Sequence, residues 1–231
     1  MNQCKALVRL RKSFNAMVHA QLIGEPFAGF VYSDAPRNVY WETTIACDLA
    51  CKHCRANALP YRDPAELNTE QAKRLIDSVK TLGSMLVLTG GDPMKRPDLF
   101  ELIAYARSHS VPVSVTPSTT PSLSSEKVAK MKELGVMALG VSLDGPNAEV
   151  HDGFRQVPGT FDYSMRALGW AKEHEIPVQI NTTITRDTLP HVETLYRLLS
   201  EKAHPPVRRW SLFVLIPVGR GASNLCPAKA K

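Results

Sequence analysis

Six short apolar runs, each followed by an amphipathic stretch, set the strongest limit on how this chain folds. Asn38–Ala46, Met85–Leu88, Val111–Val115, Val136–Leu143, Val178–Ile184 and Trp210–Ile216 read as strands. Between them lie helical patterns of ten to fifteen residues. The first opens at Asn68 with Gln71 three residues on, a capping-box pattern, and carries Ala72, Leu75, Ile76, Val79 and Leu82 on one face before Gly83. The second has Pro97 near its first turn and Leu99, Phe100, Leu102 and Ile103 inside. The others cover Ser125–Leu134, Phe161–Glu173 and Pro190–Leu199. Continuous apolar strands joined by such helices indicate βαβ units and a parallel sheet, either doubly wound or an incomplete barrel. Cys47, Gly90, Gly91, Ser118, Ser142, Asp144, Asn181 and Pro217 all fall at or just past strand C-terminal ends. That is the rim where barrel enzymes gather their sites, so the expected fold is α/β, an incomplete (β/α)6 TIM-like barrel of parallel strands.

The length of 231 residues suits one large domain, read as a core over 36–222 between a basic leader over 1–35 and an unstructured tail over 223–231. The net charge of +6 does not mark a nucleic-acid surface. Lys5, Arg9, Arg11, Lys12, Arg220, Lys229 and Lys231 crowd the two ends, and without them the chain has one more acid than base. Binding a phosphate backbone needs clustered positive charge on the folded domain. No run of eighteen apolar residues exists, so no transmembrane segment is expected. Three of five cysteines, Cys47, Cys51 and Cys54, lie within eight residues, which suits metal chelation in a reducing, cytoplasmic setting.

Ala46-Cys47-Asp-Leu-Ala-Cys51-Lys-His-Cys54 has the spacing C-x3-C-x2-C. Three thiolates in a tight loop can each take one iron of a cubane cluster and leave the fourth iron open. A zinc knuckle is the alternative, but structural zinc wants four protein ligands and usually C-x2-C pairs, so His53 or Cys226 would have to complete it.

The same spacing is the signature of the radical S-adenosylmethionine (SAM) superfamily, which this sequence resembles over roughly residues 36–222. The resemblance extends to Tyr40-Trp-Glu-Thr-Thr44, Leu88-Thr-Gly-Gly-Asp-Pro93, Val141-Ser-Leu-Asp-Gly145, His151-Asp-Gly-Phe-Arg155 and Pro217-Val-Gly-Arg-Gly221. Within the superfamily it looks most like the SPASM-type branch of haem-biosynthesis and of cofactor- and peptide-modifying proteins. The cysteine-rich auxiliary-cluster extension of that branch is not found in the sequence.

The resemblance implies a 4Fe-4S cluster on Cys47, Cys51 and Cys54, with SAM on its open iron. Reductive cleavage of SAM to a 5′-deoxyadenosyl radical would be followed by hydrogen abstraction from a tetrapyrrole haem precursor, a peptide or another cofactor precursor. A one-electron donor such as flavodoxin or ferredoxin would feed the cluster. A different class remains beside it: a truncated, inactive iron–sulfur or SAM-binding scaffold.

The expected SAM site draws on several motifs. Gly90 and Gly91 lack side chains and permit close backbone approach to a ligand. Asp92 stands where the family's usual pattern has Glu. Ser142 and Arg155 suit a ribose and a carboxylate, while Asp144 is an alternative loop-orienting group. Asn181 is a polar residue in an apolar strand, free to line the cavity or to pack against a neighbour. Ile216 and Pro217 match a segment that approaches adenine, and His53 could flank the same ring.

Overall fold

The computed structural model describes residues 35–203 and 206–222. The expected leader, apart from Ala35, and the expected tail lie outside the described residues. Among the described residues there are six strands: β1 Asn38–Glu42, β2 Met85–Thr89, β3 Val113–Val115, β4 Ala138–Ser142, β5 Val178–Ile184 and β6 Val207–Val214. Every neighbouring pair is parallel, and the order in the sheet is β1-β2-β3-β4-β5-β6. This order decides between the two architectures that the alternation left open. A doubly wound sheet reverses its strand order at a switch point, whereas a barrel adds each strand beside the last. The sheet is an open, partial barrel.

Among the described residues six α-helices accompany it: α1 Thr69–Thr81, α2 Leu99–Ser108, α3 Ser125–Glu133, α4 Ala148–Arg155, α5 Thr160–Glu173 and α6 Val192–Leu198. The capping box on α1 is formed as its sequence predicts. The Asn68 side chain accepts the Gln71 N–H at 2.9 Å, and the Gln71 side chain accepts the Asn68 N–H at 2.9 Å. Helix α4 was not expected, because its buried face consists of His151, Phe154 and Arg155 rather than an aliphatic stripe. Asn147 caps it by accepting the Val150 N–H at 3.0 Å.

The core lies between strands and helices. Ala72, Ile76 and Val79 of α1, Leu99, Leu102, Ile103 and Ala106 of α2, Val128 and Met131 of α3, and Ala167, Leu168 and Ala171 of α5 pack with Leu86, Leu88, Val113, Val115, Leu139, Val141, Val178 and Ile180. A fully buried Ile76 or Leu102 contributes roughly 1.5–3 kcal/mol by leaving water. The alternate strand positions face the other way. In β5, Val178, Ile180, Thr182 and Ile184 are buried, while Gln179, Asn181 and Thr183 are half-buried. Tyr40, Glu42, Met85, Val87, Thr89, Ser114, Thr116, Gln179 and Asn181 keep this period of two around a cavity of about 720 Å³. No described helix is long and apolar enough to cross a membrane.

Candidate iron–sulfur and SAM site

The cysteine loop leaves β1 under several restraints. Glu66 Oε1 accepts the Thr44 hydroxyl at 2.7 Å and the Ile45 N–H at 2.8 Å. The Cys47 N–H donates to the Leu59 carbonyl at 2.7 Å, and Ala46 and Leu59 form a parallel bridge that closes the loop. Cys47 and Cys51 are buried and Cys54 is partly so. Burial pushes both the Cys47 and Cys51 thiols above their ordinary pKa, with Arg155 working against it at Cys51. Among the described residues no three His, Cys, Asp or Glu side chains converge as a single-ion site. In a cubane each thiolate takes a different iron, so the donors need not converge on a point.

Each sulfur already accepts one N–H. Leu49 N–H donates to Cys47 Sγ at 3.4 Å, Ala58 N–H to Cys54 Sγ at 3.4 Å, and Arg155 Nη1 to Cys51 Sγ at 3.7 Å. Such contacts match sulfurs carrying negative charge, which metal-ligating thiolates are.

The glycines serve the protein before any ligand. The Gly91 N–H donates to the Thr44 carbonyl at 2.7 Å, and the Asp92 N–H to the Ala46 carbonyl at 2.7 Å. A Cβ on Gly91 would stand 2.4 Å from the Ala46 oxygen. The loop after β2 therefore lies directly against the segment leading to Cys47, and only a residue without a side chain fits there.

Asp92 is fully buried, and its carboxylate is occupied internally. Oδ1 accepts the Met94 N–H at 3.1 Å and the Ser118 N–H at 3.2 Å, while Oδ2 accepts the Thr120 hydroxyl at 3.2 Å. Burial raises its pKa to about 6. The Ser118 hydroxyl donates to the Gly91 carbonyl at 2.9 Å and lies 3.4 Å from Cys47 Sγ. Asp92 thus ties the loop after β3 to the loop after β2, beside the first cysteine.

Asp144 and Arg155 form the buried centre of the opposite side. Asp144 Oδ2 receives Arg155 Nε at 2.8 Å and Nη2 at 2.6 Å, and Oδ1 receives the Thr183 N–H at 2.7 Å. Arg155 and the Thr183 N–H hold the Asp144 carboxyl below its ordinary pKa despite complete burial. The Asp144 N–H donates to His151 Nδ1 at 3.0 Å, so the proton of a neutral His151 sits on Nε2, which is buried without a partner. Burial and the nearby guanidinium lower the His151 pKa to about 4. His53 stacks flat on Phe154, with ring centroids 4.4 Å apart and planes 3° from parallel. Its Nδ1 is likewise buried without a partner, and its pKa is lowered to about 4 by burial and by Arg155.

The structure brings Cys47, Cys51, Cys54, His53, Gly91, Asp92 and Arg155 around one loop. Ser142, at the end of β4, pairs in register with Asn181 in the middle of β5, where Gln179 Nε2 donates to Asn181 Oδ1 at 2.8 Å. Ile216 and Pro217 lie exposed past β6. The turn that follows them, Gly219–Ala222, is what meets the cysteines. Arg220 donates from Nε to the Cys51 carbonyl and from Nη1 to the Ala58 carbonyl, both at 3.0 Å, while its backbone N–H reaches the Cys54 carbonyl at 3.0 Å. A Cβ at Gly219, which has φ +56°, would lie 2.5 Å from the Cys54 oxygen. Arg220 and Glu66 were missed in the sequence. Arg220 stood in view inside Pro217–Gly221, but nothing in one sequence says that its side chain clasps a loop 169 residues away.

Residues 41–199 match the family described as the Radical SAM superfamily. The chain is 42% identical over 191 residues to the AdoMet-dependent heme synthase of Oleidesulfovibrio alaskensis, covering 82% of this chain and 48% of that protein. It is 37% identical over 185 residues to the Fe-coproporphyrin III synthase of Methanosarcina barkeri, covering 80% of this chain and 45% of that protein. The chain thus spans about half the length of these curated relatives. In fold it is similar to Streptococcus suis SuiB bound to S-adenosylmethionine, with a TM-score of 0.70 at 14% identity over 96% of this chain and 54% of that one.

Proposed function

This chain belongs to the radical SAM superfamily, whose members use a 4Fe-4S cluster and SAM, and we propose that it acts on a tetrapyrrole haem precursor. When bound, the reduced cluster and SAM supply a carbon-centred radical that abstracts a hydrogen atom from the substrate. The chain's own residues do the rest. Cys47, Cys51 and Cys54 hold the iron, Asp92 and Ser118 fix the loop beside Cys47, and Arg220 fastens the loop around Cys51 and Cys54. Ser142, at the end of β4, its register partner Asn181 in β5, and His53, on Phe154, are the proposed SAM-facing groups.

The observation that carries the substrate reading is the character of the cavity. Tyr40, Met85, Val87, Leu139 and Phe213 give it apolar walls, and Gln179, Asn181 and Arg209 add polar groups. Arg209 has no carboxylate partner among the described residues, whereas Arg55, at the same cavity, is paired with Glu42. A chamber that mixes apolar walls with polar groups and, among the described residues, a guanidinium without a carboxylate partner suits a flat macrocycle bearing carboxylates. The similarity to relatives named for haem and Fe-coproporphyrin III synthesis supports the same reading.

The test is an anaerobic absorbance titration of the cluster-loaded protein with a tetrapyrrole carboxylate. Saturable binding is expected, and Arg209→Ala should weaken it by ~1.5–3 kcal/mol, roughly ten- to a hundredfold. No binding, or binding indifferent to Arg209, contradicts the reading. Capture of a precursor peptide instead would move the substrate to that class.

A further inference from the structure

The three N–H donors at the cysteine sulfurs are not equivalent. Those on Cys47 and Cys54 are neutral backbone groups two and four residues along the same loop. The donor on Cys51 is the charged side chain of Arg155, delivered from α4 across 104 residues of sequence. Its three nitrogens are all committed: Nε and Nη2 to Asp144, and Nη1 to Cys51 Sγ. The guanidinium is buried and cannot swing away without leaving the Asp144 carboxylate unpaired in the interior.

We propose that Arg155 tunes the reduction potential of the cluster through Cys51, with Asp144 as the counter-charge that both aims the guanidinium and limits its effect. The inference rests on the cluster being held by Cys47, Cys51 and Cys54. The cluster takes up one electron from a reductant and becomes more negative, and a fixed cation hydrogen-bonded to one of its sulfurs stabilises that added charge. Hydrogen bonds to the sulfurs, net charge and solvent exposure are the protein's levers on such a couple, and burial keeps the interaction strong. Arg155 is therefore a positioning and tuning residue, acting on iron through a sulfur. Asp144, of opposite sign and in direct contact with it, subtracts from the same field.

The consequence is a pair of shifts with opposite signs, which a purely structural role does not produce. Cluster-loaded protein is titrated with a mediated reductant under anaerobic conditions, and the reduced cluster is read by EPR. Arg155→Met should make reduction harder, lowering the reduced-to-oxidised ratio at a fixed potential about tenfold, or ~59 mV for a one-electron couple. Arg155→Lys keeps the charge and should shift in the same direction by less. Asp144→Asn keeps the size and removes the opposing charge, so its midpoint should move the other way. If Arg155→Met fails to load iron, the lysine and Asp144→Asn variants decide the matter by the same signs. Midpoints that coincide with wild type, or that move in one direction for both residues, overturn the proposal. Wild-type protein that takes up no iron sinks instead the cluster assignment on which it rests.

Discussion

Reconstituted protein in which Cys47, Cys51 and Cys54 are all replaced by alanine should hold no cluster iron and show none of the visible absorbance that the wild type acquires. Wild type should bind about four irons and four sulfides per chain. The three sulfurs sit in one loop, which Glu66, Leu59 and Arg220 fasten at its two ends. Each is preset with one N–H donor. No other cysteine belongs to the described residues, and Cys4→Ala and Cys226→Ala should leave the absorbance unchanged. Iron quantitation and the visible spectrum check this, and a full cluster in the triple variant would remove the assignment.

The second large effect concerns stability of the protein without its cluster. Asp144→Ala leaves the Arg155 guanidinium buried without its carboxylate and the Thr183 N–H without its acceptor. Breaking such a pair by removing one partner costs about 3–5 kcal/mol. Replacing both partners with apolar residues of similar size should recover much of that loss, because no stranded charge remains.

The pH dependence has a definite sign. The folded pKa of Asp144 lies below its ordinary value of 3.8, so its stabilisation is present above that value and is lost as pH falls through the lower folded pKa. His151 falls from 6.5 to about 4 on folding, so its share is lost between those values as pH drops. Asp92, raised from 3.8 to about 6, acts in the opposite direction: its share is present below 3.8 and is lost as pH rises through 6. His53, also lowered to about 4, acts with His151, and Asp92 opposes both between pH 4 and 6. Below pH 4 Asp144 adds to the loss, together with the other carboxylates held low in the fold, Glu66, Asp98 and Asp152. Urea unfolding at pH 7 and pH 3 checks both points. Wild type should lose stability between them, and Asp144→Ala should start lower and lose less over that acid range. A variant as stable as wild type at pH 7 would show that the pair contributes little.

Much of this fold is legible in the sequence because parallel strands and amphipathic helices differ in hydrophobic period. The α1 capping box and the six strand segments rest on that local information. Strand order does not, since βαβ units read alike whether each new strand joins next to the last or across the sheet. Helix α4 escaped because the pattern that marks a helix is apolar, and its buried face carries His151 and Arg155, which are buried for the sake of Asp144 and Cys51.

The cysteines could be read together for a related reason: three proposed ligands to one cluster within a loop are adjacent in sequence as well as in space. Their supports are not. Glu66 and Arg220 reach the loop or its flanking strand from 21 and 169 residues away, ordinary residue types until the fold places them, and Ser118, read only as a rim residue, meets Cys47 from 71 residues away. Gly91 was singled out for close backbone approach to a ligand. The group that comes close within this chain is the backbone before Cys47.

Release of 5′-deoxyadenosine decides whether this chain carries the proposed working cluster-and-SAM site on its open barrel. Anaerobically reconstituted protein with full iron content is reduced by a strong one-electron reductant, supplied with SAM without substrate, and followed by chromatography. Slow release of 5′-deoxyadenosine and methionine, dependent on the reductant and absent from the triple cysteine variant, is the predicted result. A fully loaded and fully reduced sample that yields no more 5′-deoxyadenosine than SAM alone would contradict the claim and leave an iron–sulfur scaffold.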